Sequence, residues 1–413
     1  MGHLNAQHLE QQNQQLDTRL LHAGLAQFNP QTGLAAVAQP PVRTSTVRFR
    51  DLASLDAAFA RRTQGERSAR SNLYGRPGCE THLALEAVFC ELENARRAFL
   101  APSGMSAISL VFLALLKQGD HVIVADSIYA PVRNLDKAVL QRMGVAVSYC
   151  RATPQAVAAQ IKPETRLLYV ESPGSLLLEM LDLPALSALA KTHGLLLAAD
   201  NTWGAGLAYR PLDLGADVSV VAGTKYVGGH ADLMLGAVAV KGDDLIKRFS
   251  DTHYALGYTI GADDAWLALR GVRTLPVRIR QHAKSALEVC RFLKQHPQVL
   301  RIFHPAWPDD AGHALWQRDA QGSNGLMSVL LKLNHAQGRR FVDALQLFGI
   351  GFSWGGFESL VQWVEPQALV PHRYWTDEIK ADADTTVVRL HIGLEAVEDL
   401  QADLTQALDQ AAA

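Results

Sequence analysis

The residues of this 413-residue chain that could do chemistry stand at the ends of apolar runs. Lys225 and Thr224 follow VSVVAG (218–223), and Asp200 closes LLLAAD (195–200). A lysine at the end of an apolar strand loses solvation, so its amine can be neutral near neutral pH and attack a carbonyl carbon. Taken alone, a single lysine reads better as a solvated surface charge. A lone carboxylate at such a place is costly unless paired, and by itself Asp200 reads as a helix cap. Ser103-Gly104-Met105 follow AFLAP (98–102) and open a helical pattern. Free N–H groups at a helix start suit a phosphate, although an ordinary turn has the same composition. Tyr129 follows HVIVAD (121–126), and Ser172-Pro173-Gly174 follow RLLYVE (166–171).

Together these residues form a set. A lysine to bond a carbonyl, a carboxylate to pair with a ring nitrogen, a helix start for phosphate and an aromatic face to stack are the parts a pyridoxal phosphate site needs. Two competing motifs are weak. Gly204-Ala205-Gly206 begins like a dinucleotide fingerprint, but Tyr209 stands in the place of its last glycine. Gly223-Thr224-Lys225 lacks the order and the earlier glycine of a P-loop.

The elements that must position these groups are legible as runs. HVIVAD (121–126), VAVSYC (145–150), RLLYVES (166–172), LLLAAD (195–200), VSVVAG (218–223) and LGAVAV (235–240) are apolar without alternation, as strands buried on both faces are. With AFLAP and the helical stretches between them, they predict a mostly parallel sheet covered by helices. In such a sheet ligands bind beyond the carboxyl ends of the strands, where the candidate residues lie. THLALEAVFCELENA (81–95) predicts a helix. So does the stretch after Pro276, with Ile279, Ala283, Leu287, Cys290 and Leu293 on one stripe. LMSVLLKL (326–333), SLVQWV (359–364) and VVRLHI (387–392), with helices near 335–348 and at the C-terminus, predict a smaller α+β unit. Residues before about 78 show no core of their own.

Composition excludes several classes. Against 39 Lys and Arg stand 41 Asp and Glu, so no basic excess points to nucleic acid. The longest uncharged apolar stretch, Met105 to Leu116, falls short of the ~20 residues that span a bilayer. The Gln-rich lead MGHLNAQHLEQQNQQLDTRL has no apolar signal region. Cys79, Cys90, Cys150 and Cys290 fit neither a zinc site nor a disulfide framework, and no metal motif is present. A reducing cytoplasm is the expected location.

VVAGTKYVGGHADLMLGAV (220–238) resembles the lysine motif of the Cys/Met-metabolism family of pyridoxal phosphate enzymes, of fold type I. NLYGRPGCETHLALE (72–86), ESPGS (171–175), DNTWGAG (200–206), RGVRTLPVRIRQH (270–282), SWGGFESL (353–360) and RLHIGLE (389–395) match the same family in order. The similarity runs from about Thr18 to the C-terminus. ESPGS, SWGGFES and HIGLE look like the bacterial β-lyase branch.

The resemblance implies an α/β, transferase-like fold with a mostly parallel seven-stranded sheet. It implies an N-terminal arm (1–77), a large cofactor domain (78–271) and a smaller C-terminal α+β domain (272–413). Lys225 would carry pyridoxal 5'-phosphate and then move protons, and Asp200 would pair with the ring nitrogen. Tyr129 would stack on the ring. Gly104, Met105 and Thr224 would hold the phosphate, with Tyr74 and Arg76 reaching a neighbouring subunit's site. Ser353 would hold the lysine, Arg389 would clamp the substrate carboxylate beside Trp354, and Tyr254 would line the pocket. Ala222 departs from the wider family, where a second phosphate-binding hydroxyl is common. Arg61, Arg62, Arg67 and Arg70 form a basic cluster suited to a distal carboxylate or to a solvated face. The implied activity is carbon–sulfur lysis in methionine biosynthesis: α,β-elimination of L-cystathionine, with action on cystine or related thioethers open. γ-Lyase or γ-synthase chemistry, or cofactor binding without turnover, are the alternatives. The implied assembly is a homotetramer built from dimers that share active sites.

Overall fold

In the computed structural model the described residues are 14–63, 73–378 and 384–412. Arg67 and Arg70 therefore lie outside the described residues, and Arg62 is described only as part of a helix.

The seven apolar runs become β1 (Arg97–Ala101), β2 (His121–Ala125), β3 (Ala146–Cys150), β4 (Thr165–Glu171), β5 (Leu196–Asp200), β6 (Val218–Val221) and β7 (Gly236–Val240). They form one sheet in the order β1-β7-β6-β5-β4-β2-β3. Every pairing is parallel except those of β7, which runs antiparallel to both β1 and β6. β2 and β7 are buried along their whole length, as strands covered on both faces must be. One face is covered by the Gly104–Leu115 helix, which buries Leu110, Val111 and Phe112 against Val122, Tyr169 and Val238. Full burial of a side chain such as Phe112 is worth roughly 1.5–3 kcal/mol. Ser103 caps this helix, its hydroxyl accepting from the Ser106 N–H at 3.1 Å. The other face carries the Leu183–Thr192 helix, with Leu183 and Leu186 against Leu168 and Leu197.

A second sheet has the order β10-β11-β12-β9-β8 and is mostly antiparallel. Its strands are β8 (Val299–Phe303), β9 (Leu326–Leu331), β10 (Gly349–Ile350), β11 (Leu360–Val364) and β12 (Thr386–His391). β8 and β10 were not expected from sequence. β8 is half-open with a charge in its middle, and β10 is two exposed residues.

The Leu275–Leu293 helix joins the two sheets. Leu275 and Ile279 sit in a core of the first sheet, while Ala286, Val289, Cys290 and Leu293 sit in that of the second. The expected stripe is rotated by about one residue. Ile279, Cys290 and Leu293 are buried, but Ala283 and Leu287 are half-buried, and His282, Ala286 and Val289 take the inward places. The early residues also hold more structure than expected: the Leu16–His22 helix buries Leu20 against Leu85 and Phe89.

The second sheet grips the first at its strand ends. The Ser328 hydroxyl donates to Leu176 O at 2.6 Å, the Asn324 amide to Trp203 O at 2.7 Å, and the Gly325 N–H to the Tyr226 hydroxyl at 3.0 Å. The three receiving residues follow β4, β5 and β6. The cleft therefore opens where a parallel sheet is expected to bind a ligand.

Candidate active site

Asp200 is the last residue of β5 and is 5 % exposed. Thr202 donates twice to its Oδ1, from its N–H at 2.9 Å and its hydroxyl at 2.6 Å. Burial raises the Asp200 pKa, and the Thr202 donations and the charge of Lys225 act against that rise. Among the described residues Asp200 makes no ion pair, so a buried acceptor faces the cleft without its own cation. The Thr202 hydroxyl also accepts from the Ala222 N–H at 2.9 Å, tying the end of β5 to the turn that carries the lysine.

Lys225 lies four residues beyond β6, in a half-buried turn. Its Nζ donates to the Ser353 hydroxyl at 2.6 Å and stands 5.7 Å from the centre of the Trp354 ring. Burial and then the charge of Arg389 lower its pKa from 10.5 to about 8, with Asp200 opposing. A substantial share of such amines is neutral near pH 7–8, as a nucleophile or base requires.

Ser353 belongs to a strained loop. Its φ is +102°, unusual for a residue with a side chain, and Gly355 has φ +91°. A Cβ on Gly355 would come within 2.7 Å of Tyr226 N and 2.8 Å of Lys225 C. This loop is therefore pressed onto the backbone of the lysine. Trp354 and Tyr226 rings meet at 5.4 Å behind it, and His282 and His391 extend the buried stack.

Arg389, in β12, is 8 % exposed, and its Nη1 donates to Ser175 O at 3.2 Å. Burial lowers its pKa to about 10, against the pull of Glu171 and Tyr129, so it stays cationic near neutrality. Tyr129 is 44 % exposed, and its backbone N–H donates to Glu171 Oε2 at 2.5 Å.

Gly104 and Met105 form the half-buried first turn of the Gly104–Leu115 helix, where the first N–H groups have no partner inside the helix. A Cβ on Gly104 would lie 2.7 Å from Ala222 Cβ, which accounts for two small residues at this approach. Thr224 has partners of its own. Its hydroxyl donates to Leu235 O at 3.1 Å and accepts from Leu235 N at 2.9 Å, so its one proton is already engaged.

Lys225, Asp200, Ser353, Trp354, Arg389 and Tyr129 thus come together through direct contacts or electrostatic coupling. Tyr74, Arg76 and Tyr254 form another group. Arg76 lies over the Tyr254 ring at 4.8 Å. Tyr74 and Arg76 line a cavity of about 410 Å³ with Val42, Cys79, His82 and Asp263; none of Lys225, Asp200, Tyr129 or Arg389 lines it. Arg61 is exposed on the Leu52–Thr63 helix.

Sequence reasoning assigned no role to Thr202 and Glu171. The D-x-T spacing at 200–202 carries a signal for the first, because a threonine two residues after an aspartate readily donates back to it. Glu171 stood inside a motif but acts on a backbone group, which no side-chain pattern reveals.

The residues present fit pyridoxal phosphate. A buried carboxylate without a cation, an amine near neutrality, free helix-start N–H groups, an exposed aromatic face and a cationic clamp converge on one cleft. The arrangement defines an α/β enzyme built to hold an anionic aromatic cofactor at the ends of its strands. The chain belongs to the Cys/Met metabolism family of PLP-dependent enzymes, whose sequence profile matches residues 17–409. It is 58% identical to the cystathionine beta-lyase of Bordetella avium over 96% of this chain and 98% of that one. It is 38% identical to the cystathionine beta-lyase MetC of Escherichia coli K12, over 95% and 98%. The crystal structure of cystathionine gamma-lyase from Lactobacillus plantarum, complexed with L-serine, superposes with a TM-score of 0.84 at 30% identity, over 97% of this chain and 100% of that one.

Proposed function

We propose that this chain is a carbon–sulfur lyase that cleaves L-cystathionine by α,β-elimination, releasing homocysteine and aminoacrylate, which water hydrolyses to pyruvate and ammonia. The observation that carries the reading is the Lys225 amine, held 2.6 Å from Ser353 with its pKa lowered to about 8. The 58% identity to a cystathionine beta-lyase selects the bond broken.

When bound, pyridoxal phosphate supplies an electron sink for the pair released as the substrate Cα–H bond breaks. Asp200, buried and fixed by Thr202, would hold a proton on the ring nitrogen. Tyr129 would cover the ring, and the N–H groups of Gly104 and Met105 would receive the phosphate. Arg389 takes the substrate α-carboxylate in its planar fork and fixes the Cα–H bond toward Lys225. The Lys225 amine would accept the Cα proton and deliver a proton to the departing sulfur. Ser353 steers Nζ between those positions, and Trp354 keeps water from that side of the cleft. Thr224 joins the phosphate site by releasing its donation to Leu235 O.

The reading extends to assembly. Tyr74 is 46 % exposed, and Arg76 meets Tyr254 apart from the Lys225 group. Both suit a role in the site of a neighbouring copy, in a homotetramer built from dimers. The division at 77/78 and 271/272, and a cytoplasmic location, belong to the same proposal.

The second reading is γ-chemistry, favoured by the likeness to the γ-lyase structure. Product analysis with L-cystathionine separates the two. Pyruvate with homocysteine is the expected outcome. 2-Oxobutyrate with cysteine would overturn it in favour of the γ reading, and a cofactor-loaded protein inert toward cystathionine and cystine would mark a binding protein without turnover.

A further inference from the structure

Glu171 is the last residue of β4, and in the ladder it stands directly opposite Asp200, the last residue of β5. Paired residues on parallel strands point to the same face, so two carboxyl groups share the floor of the cleft. They are held differently. Asp200 receives two donations from Thr202, which favour its charge. Glu171 receives one, from the Tyr129 backbone at 2.5 Å. Like charges this close cannot both ionise freely. Burial first, and then the charges of Asp200 and Glu179, drive the Glu171 pKa well up.

Tyr129 sits in the loop after β2, with an open ring. Its carbonyl receives the Val132 N–H at 3.0 Å, a local turn that moves with the loop. The bond to Glu171 ties the same residue to a strand that is paired on both sides.

We propose that Glu171 is a positioning residue: its carboxyl, fixed at the end of β4 beside Asp200, holds the Tyr129 backbone and so sets the ring over the cleft. The hold is made by the carboxyl oxygen that accepts the Tyr129 N–H. The inference rests on the lyase reading for its place in the reaction. Its geometry stands without that reading.

The test compares Glu171→Ala with Glu171→Gln in the cofactor-loaded protein. The amide keeps an acceptor oxygen and carries no charge, so Gln should stay within about threefold of wild type in kcat/KM. Ala should lose roughly ten- to hundredfold through misplacement of the tyrosine. Visible circular dichroism of the bound cofactor provides a readout independent of turnover. Its band should change in Ala and be restored in Gln, with thermal midpoints of the cofactor-free proteins checking the fold. An unchanged dichroic band in the Ala variant, or a Gln variant as impaired as Ala, would overturn the role. The wild-type product assay stands apart from both, so failure of the lyase reading is recognised separately.

Discussion

The two faces of the cleft are built on different principles. On one side Asp200, Glu171 and the turn of Lys225 stand at ends of paired strands, where neighbouring ladders fix each backbone. On the other side Ser353 and Gly355 reach the lysine from a loop with positive φ angles, pressed against the chain it serves. The first side places charges by register. The second places a hydroxyl by strain and close approach, which tolerates no added atom. Under the lyase reading both are needed, because the cofactor would be held still while the lysine moves.

Removing the group on which both sides converge should have the largest effect. Lys225→Ala is expected to lower pyruvate release from cystathionine by roughly 10³-fold or more, measured on protein reloaded with cofactor. Substantial residual elimination would take the lysine out of the mechanism.

The strained side is tested by Gly355→Ala. An added Cβ within 2.7 Å of Tyr226 N must displace the loop or the lysine. A loss of about 10²-fold in kcat is expected, with a lower thermal midpoint. A variant of wild-type rate would show that the close approach is slack.

The smallest effect lies beneath the ordered side. Glu93 is buried and takes donations from the Asn201 amide at 3.0 Å and the Ser219 hydroxyl at 2.7 Å. Burial raises its pKa from 4.5 to about 7. The folded state therefore favours the protonated form. That stability is full below the unfolded value and is lost as pH rises through about 7, amounting to about 3 kcal/mol. Glu93→Gln should flatten the fall of the thermal midpoint between pH 5 and 8. An unchanged slope would remove Glu93 as its source.

The ordered side was the legible one. Strands buried on both faces must be apolar throughout, so β2, β5 and β7 announce themselves, and a charge at such an end stands out. Lys225 and Asp200 were visible as residue types before any geometry. Ser353 and Arg389 have no such background. They entered only through motif resemblance, because a serine in a loop and an arginine in a strand look the same whatever they touch. Glu171 and Thr202 were harder still, since each works through a backbone N–H or a neighbouring carboxylate. The half-open β8 and the rotated stripe of the Leu275–Leu293 helix fell outside the pattern for a related reason. Partial burial blurs the alternation that a sequence displays.

The Leu275–Leu293 helix has a practical consequence for building chimeras. It serves one core at Leu275 and Ile279 and the other from Ala286 onward. A joint that exchanges the arginine-bearing sheet between relatives while keeping the cofactor sheet belongs inside this helix, between Ile279 and Ala286. There each parent keeps the side chains that fill its own interior.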